Sequence, residues 1–403
     1  MTVLPPPPSG PAAVEWVTEH LGHLSCDVPR ASSIRGGQAA ADSALATLDL
    51  SGYARSRNEV LPRSARGASV MSPYLRYGLI TLPQMWDAAG AAPTADRTKY
   101  RDELLWQEYA RHLYARLGAD LGESLRTEPP LFGSGDHGLP DHDLPDHDPW
   151  DREMACMSVT MTELETDGWL VNQTRMWLAS QWSVRGGRDW RDGEDRFFQH
   201  LLDGSRAANR LGWQWTTGAG SGKPYGFARS QVEKRAPGLC HTCALKKACP
   251  IQAWPEPEVG PKVGEPYNLT GGVTDSGPQQ AELTGNPEVV WLTAESLGSA
   301  DPALLAHPQL PRVFVFDAPL LDRLQLSGKR LVFLAQTLAE LDCEVLLGDP
   351  VAELAGRALA VTFAPVPGFR QRSGKLDVTA LHPWPWLRRP TAGSLRSYSA
   401  WAR

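Results

Sequence analysis

Long apolar runs are missing from this chain. No stretch approaches the ~20 residues that a membrane-spanning helix needs. The opening MTVLPPPPSGPAA has neither a charged n-region nor an apolar h-region, so it does not read as a signal peptide. Cysteine is scarce: six in 403 residues, unevenly placed, make no disulfide framework, and a reducing cytoplasm is the expected setting. Excess positive charge is lacking too. At a net charge of −6 the chain has no global attraction for nucleic acid, and any DNA contact has to come from a local basic patch. The length leaves room for two or three domains and a sizeable core.

What the chain does have is tryptophan. Six of its fifteen lie between Glu163 and Trp215: Trp169, Trp177, Trp182, Trp190, Trp213 and Trp215. At helical spacing, Trp169, Asn172, Arg175 with Met176, and Ala179 share one face. A face of Trp, Met and Ala belongs inside, yet this one carries an amide and a guanidinium that need partners once buried. Asp203, Ser205 and Asn209, in DGSRAAN, are available downstream. Pattern alone leaves two readings: a Trp-rich helical core with an internal salt bridge, or a pocket for a flat aromatic cofactor.

Along the chain, residues 1–12 read as a disordered Pro-rich leader. Helical text follows, including a turn-rich stretch where Ser72 before Pro73 reads as an N-cap, and an amphipathic helix over 98–117. In DHGLPDHDLPDHD, His137, His142 and His147 recur every five residues. That period shares no helical face and two prolines forbid a helix, so a solvated loop is expected rather than a metal site. Residues 254–287, rich in Pro and Gly, read as a linker. Beyond it, EVVWLT (288–293), RVFVFD (312–317) and CEVLLGD (343–349) are apolar strands alternating with helices, which implies a small parallel sheet over 288–403. The fold class expected is therefore a mainly α domain over 13–253 plus a small C-terminal α/β, Rossmann-like domain.

The string LETDGWLVNQTRMWLA, then W-x2-GE-x2-FF-x2-LLDGSRAANRLGWQW, closely resembles the flavin-binding half of the photolyase/cryptochrome family. The sheet text resembles that family's α/β domain, which comes first there and last here, so the resemblance implies a circular permutation and, with the domain abbreviated, no antenna chromophore. It implies FAD as cofactor. Tyr53, Ser69 and Ser72 fall where the family contacts the dinucleotide phosphates and ribityl chain, although Ala68 and Val70 replace the usual Thr and Arg there. Tyr100 falls at a flavin-contacting aromatic position. ELLW, Glu103 to Trp106, matches an active-site motif whose carboxylate and Trp face the lesion. Trp169, Asn172, Arg175 and Met176 match the helix beside the isoalloxazine ring. Asp203 matches the acid that pairs with that arginine, and Asn209 the residue at flavin N5. Ser205 replaces a usual second Asp. Trp213 and Trp190 match the proximal and middle members of an electron-transfer chain, with Trp177 or Trp182 open as its end.

Cys240-x2-Cys243-x5-Cys249-Pro250 is dense with thiols in a Cys-poor chain, and Cys156 is available as a fourth ligand. The set resembles the iron–sulfur bacterial branch of the family and implies a [4Fe-4S] cluster. Structural zinc with His241, or unligated thiols, are the alternatives, and Cys26 and Cys343 read as ordinary buried or partly buried cysteines. The expected function is light-driven photolyase repair of pyrimidine dimers by a monomer acting on damaged DNA. Glu103, Trp106, Met176, Asn209, Trp190 and Trp213 carry the chemistry in that reading. A cryptochrome-like photosensor and a degenerate flavin-binding relative are the rivals.

Overall fold

The computed structural model describes residues 2–131, 148–256, 258–266, 268–272 and 274–403. The His137, His142 and His147 repeat lies outside them. The elements used below are, in chain order, β1 (Thr2–Leu4), α1 (Ala12–Leu21), α2 (Ser72–Arg76), α3 (Thr94–Leu117), α4 (Ala155–Thr166), α5 (Asn172–Ala179), α6 (Trp190–His200) and α7 (Arg206–Thr217). They continue as β2 (Glu282–Leu283), β3 (Val289–Leu292), β4 (Arg312–Asp317), α8 (Gly328–Leu338), β5 (Glu344–Gly348), β6 (Leu359–Thr362), β7 (Val378–His382) and α9 (Tyr398–Trp401).

The chain is mostly helical up to the sheet, which has seven strands in the order β1-β5-β4-β3-β6-β7-β2. Its five inner strands are parallel and its two edges antiparallel. The parallel strands run outward from β3 in both directions, the doubly wound order. Apolar side chains at nearly every position of β3, β4 and β6 are buried, as a sheet covered on both faces requires.

Helix α8 is the pivot of the molecule. All eleven of its residues are buried, which a helix achieves only when packed on every side. It lies against α1, whose Ala13, Trp16, Val17 and Leu21 are buried, and it shares a core with β4 and the helical segment through Phe316, Tyr74 and Tyr77. A separate core of Trp150, Trp177, Trp190, Trp213 and their neighbours fills the helical part.

Three expectations need correction. The leader is ordered in part: β1 pairs antiparallel with β5, and the Trp16 indole donates to the Pro5 carbonyl at 3.1 Å. A sheet edge with free backbone groups is what draws in this short strand. The linker stretch likewise ends in β2, which covers the opposite edge. Ser72 is not a capping side chain; the helix begins on it, and its Oγ accepts from the Trp169 indole at 3.0 Å. Among the described residues, no helix is long and apolar enough to cross a membrane.

Candidate functional site

A cavity of about 540 Å³ opens between α3, α5 and α7, with Tyr53 and residues 68–72 on its rim. That is within the usual range for a cofactor pocket. Each wall follows from helical period. On α3, Tyr100, Glu103 and Gln107 recur at three and four residues; on α5, Asn172, Arg175 and Met176 do the same; on α7, Asn209, Trp213 and Thr216 repeat it.

Polar groups in this apolar setting are tied down selectively. Arg175 donates from Nη2 to Asp203 Oδ2 at 2.7 Å and from Nε to the Leu170 carbonyl at 3.0 Å. Ser69 Oγ and Tyr100 Oη are 3.1 Å apart, and the Tyr53 ring meets Tyr100 edge-on at 4.8 Å. Burial pushes the Tyr100 hydroxyl up to about 12, with the Ser69 bond opposing; burial and then Glu103 raise Tyr53 further, so both phenols stay neutral. Glu103 is paired with Lys99 at 3.0 Å and Arg57 at 3.2 Å. Val70 sits at φ 56°, a left-handed conformation costly for a β-branched residue, in the turn that brings Ser69 and Ser72 to the cavity.

Other polar atoms in the same walls are left over. Asp203 Oδ1, Asn209 Nδ2, Trp213 Nε1 and Gln107 Oε1 are buried with no hydrogen-bond partner among the described residues. A buried donor or acceptor with no partner costs about 1–3 kcal/mol, so two donors and two acceptors converging on one cavity describe a site that a flat, polar-edged ligand completes. These groups suit a flavin.

The cavity brings together Tyr53, Ser69, Ser72, Tyr100, Glu103, Trp106, Trp169, Asn172, Arg175, Met176, Asp203, Asn209 and Trp213. Ser205 lines an adjoining cavity of about 70 Å³ that shares Arg175, Asp203 and Asn209. Trp190 stands outside: its indole donates to Ser124 Oγ at 3.3 Å, and Arg191 lies over its ring. Trp213 and Trp182 instead flank one residue, Gly193, where an added Cβ would lie 2.3 Å from Trp213 Cη2 and 2.9 Å from Trp182 Cδ1. Trp182 in turn packs on Trp150 with centroids 4.9 Å apart. Sequence reading missed Gln107, although its place four residues after Glu103 was a signal; Trp150, in a loop outside the motifs, offered none.

A second constellation lies at the start of α4. Cys156, at the start of α4, lines a cavity of about 20 Å³ with Cys240, Cys243 and Cys249. The Ala155 amide donates to Cys243 Sγ at 3.5 Å. Burial, then the neighbouring thiols, push Cys156 up to about 12. His241 is exposed and does not line this cavity.

Two comparisons bear on these features. The family model for the FAD-binding domain of DNA photolyase matches residues 155–232, which hold α4 to α7. The deoxyribodipyrimidine photo-lyase of Synechococcus is 30% identical over 175 residues, covering 38% of this chain and 33% of that protein. One from Thermus thermophilus is 29% identical over 236 residues, 54% of this chain and 50% of that protein. The match thus spans a third to a half of the relatives' length. A solved class III photolyase from Agrobacterium tumefaciens, 28% identical, overlays with a TM-score of 0.40 over 49% of this chain and 42% of that one, too low to add to the argument. Residues 155–232 thus match the FAD-binding domain of the photolyase family, and over that part of its length the chain is similar to the photolyase/cryptochrome family.

Proposed function

We propose that this chain, as a cytoplasmic monomer, holds FAD in the large cavity and performs light-driven photolyase-type repair of pyrimidine dimers in damaged DNA. The observation that carries the reading is the set of partnerless buried atoms on Asp203, Asn209 and Trp213 around that cavity. Bound and reduced, the flavin supplies a light-excited electron donor. The protein's part is positioning. Asn209 would offer an N–H and Asp203 a carboxylate oxygen to the edge of a bound flavin, and Asp203 holds the Arg175 guanidinium at the same cavity. Tyr53, Ser69 and Ser72 supply hydroxyls for the dinucleotide arm. Trp106 and Met176 form apolar walls for an extruded base, with Glu103 as the polar group a flipped lesion needs. Trp213 would relay electrons to the bound flavin, with Trp190 the family-matched middle member.

The thiols of Cys156, Cys240, Cys243 and Cys249 would hold the [4Fe-4S] cluster. Thiolates around one zinc ion sit about 3.8 Å apart, given Zn–S bonds near 2.3 Å. Among the described residues, no three of these four sulfurs fall within 4.8 Å of one another, a spread that suits a polynuclear cluster better than a single ion. The order of parts, helical before sheet, fits a circularly permuted member.

A photosensor is the second reading, favoured by one observation. The Trp106 ring is stacked on Tyr398 of α9 at 3.9 Å and 9°, and Tyr398 donates to Asp102 Oδ1 at 2.6 Å. One face of the expected lesion platform is thereby covered by the protein itself.

Anaerobically purified protein should show flavin bands that bleach under blue light with a reductant, and iron that Cys240→Ser removes. Repair of a dimer-containing oligonucleotide, with binding that weakens as salt rises, supports the photolyase reading. Photoreduction without repair supports the sensor, and colourless protein overturns both.

A further inference from the structure

We propose that Cys26, Asp27 and His200 form a binding site for one zinc-class divalent ion, at the junction of the helical segment and the sheet. Among the described residues, these are the three whose ligand atoms all lie within 4.8 Å of one another. Sulfur, carboxylate oxygen and imidazole nitrogen together are the donor set of a borderline transition ion rather than of calcium or magnesium. Three protein ligands leave a fourth tetrahedral position for water. The site is separate from the cysteine cluster and independent of the flavin reading.

Its ligands are held before any ion arrives. Cys26 and Asp27 follow a short turn after α1, and His200 is the last residue of α6. Both segments are pinned to the start of α8. Ser25 and Leu326 form a parallel bridge, and the Cys26 amide donates to the Leu326 carbonyl at 3.3 Å. The Gly328 amide donates to Asp27 Oδ1 at 2.6 Å, which leaves Oδ2 turned toward the His200 ring, 3.9 Å from Nδ1. The Ser327 amide donates to the Gln199 carbonyl at 2.9 Å, fixing the end of α6 beside it. Main-chain bonds thus set the spacing, as a preorganised ligand set requires. Cys26, expected to be buried or partly buried, is exposed, so an ion has a way in.

Fully buried Lys329 already places a side-chain amine at this spot. Its Nζ lies 3.2 Å from His200 Nδ1, and its nearest carboxylate, Asp27, is 3.9 Å away, beyond hydrogen-bond reach. The protein has placed a carboxylate, a thiol and an imidazole around a cation that they satisfy only in part. An ion coordinated by all three replaces the ammonium as partner to the same nitrogen and oxygen, so the two compete.

Cobalt(II) titration of the full-length protein, followed by thiolate-to-cobalt absorption and by stoichiometry, tests this. Wild type should bind one more equivalent than Cys26→Ser or His200→Gln, each weakening that component by about 100-fold, at least the loss seen when second-sphere partners are removed. Cys240→Ser should leave the component intact, which separates it from the cysteine cluster. Lys329→Met should tighten it by about tenfold or more, a change that a merely structural role for these residues would not produce. Equal stoichiometry in wild type and Cys26→Ser, whose exposed side chain poses no folding risk, overturns the site. So does an unchanged affinity in Lys329→Met.

Discussion

Single residues here are chosen for what their protonation permits. The His112 ring, on α3, takes a hydrogen bond at Nδ1 from the Trp401 indole at 2.8 Å, and its Nε2 lies 2.7 Å from the Arg388 carbonyl. Those two partners fit a neutral ring with the proton on Nε2. Burial, with Arg116 and Arg388 adding repulsion, pushes it down from 6.5 to about 4. Because the folded value lies below the unfolded one, the unfolded chain binds the proton first. The stabilisation is complete above pH ~6.5 and is lost as pH falls toward ~4, about 3 kcal/mol at most. Urea unfolding across that window should show His112→Gln with a flatter pH slope than wild type; identical slopes would assign the pH response elsewhere. The same care shows at the cavity, where Tyr53 and Tyr100 are kept neutral and Arg175 is given a carboxylate.

At the level of elements, the cavity depends on how closely α6 approaches α7. Gly193 allows that approach: on α6 it faces the Trp213 ring so closely that any side chain collides with two indoles. Neither ring can retreat, because Trp213 is buried against Phe197 and the Trp182 indole is tied to the Asp189 carbonyl at 2.7 Å. Gly193→Ala should therefore cost about 1–3 kcal/mol through overpacking. It should also release flavin, since the displaced Trp213 is a cavity wall. Denaturation midpoint and bound-flavin content of purified protein check this; full stability with full flavin content would show that the rings can move. The C-terminal α9 works in the opposite sense. It adds cover, laying Tyr398 and Trp401 on Trp106 and Tyr109 of α3.

At the scale of the molecule, both edges of the sheet are covered by short antiparallel strands. Three residues at the start of the chain cover the β5 edge, β2 covers the β7 edge, and α8 fills the space between sheet and helices. Deleting residues 2–4 should lower thermal stability modestly, by about 1–2 kcal/mol for a three-residue edge strand, and raise aggregation by exposing β5. Light scattering on heating reads the second effect; unchanged scattering would mean that the edge is protected by other means.

Periodicity in the sequence was enough for the class of fold, the amphipathic α3, the α5 face and three of the five parallel strands, β3, β4 and β5, because each depends on residues a few positions apart. RVFVFD and CEVLLGD are apolar enough to be strands in any setting, and N-x2-R-M on α5 puts its polar groups on one face by helical geometry alone. Tertiary structure decided the rest. Thr2–Leu4 has no strand signal of its own and becomes one only because β5, at the far end of the chain, presents open backbone. Val378–His382 is likewise a strand by its neighbours. Nothing in the spacing of Cys26 and His200 predicts a meeting; α8 brings them together. That three walls enclose one cavity, and that Asp203, Asn209 and Trp213 each keep an unpaired atom beside it, follows from long-range packing, to which local sequence pattern is blind.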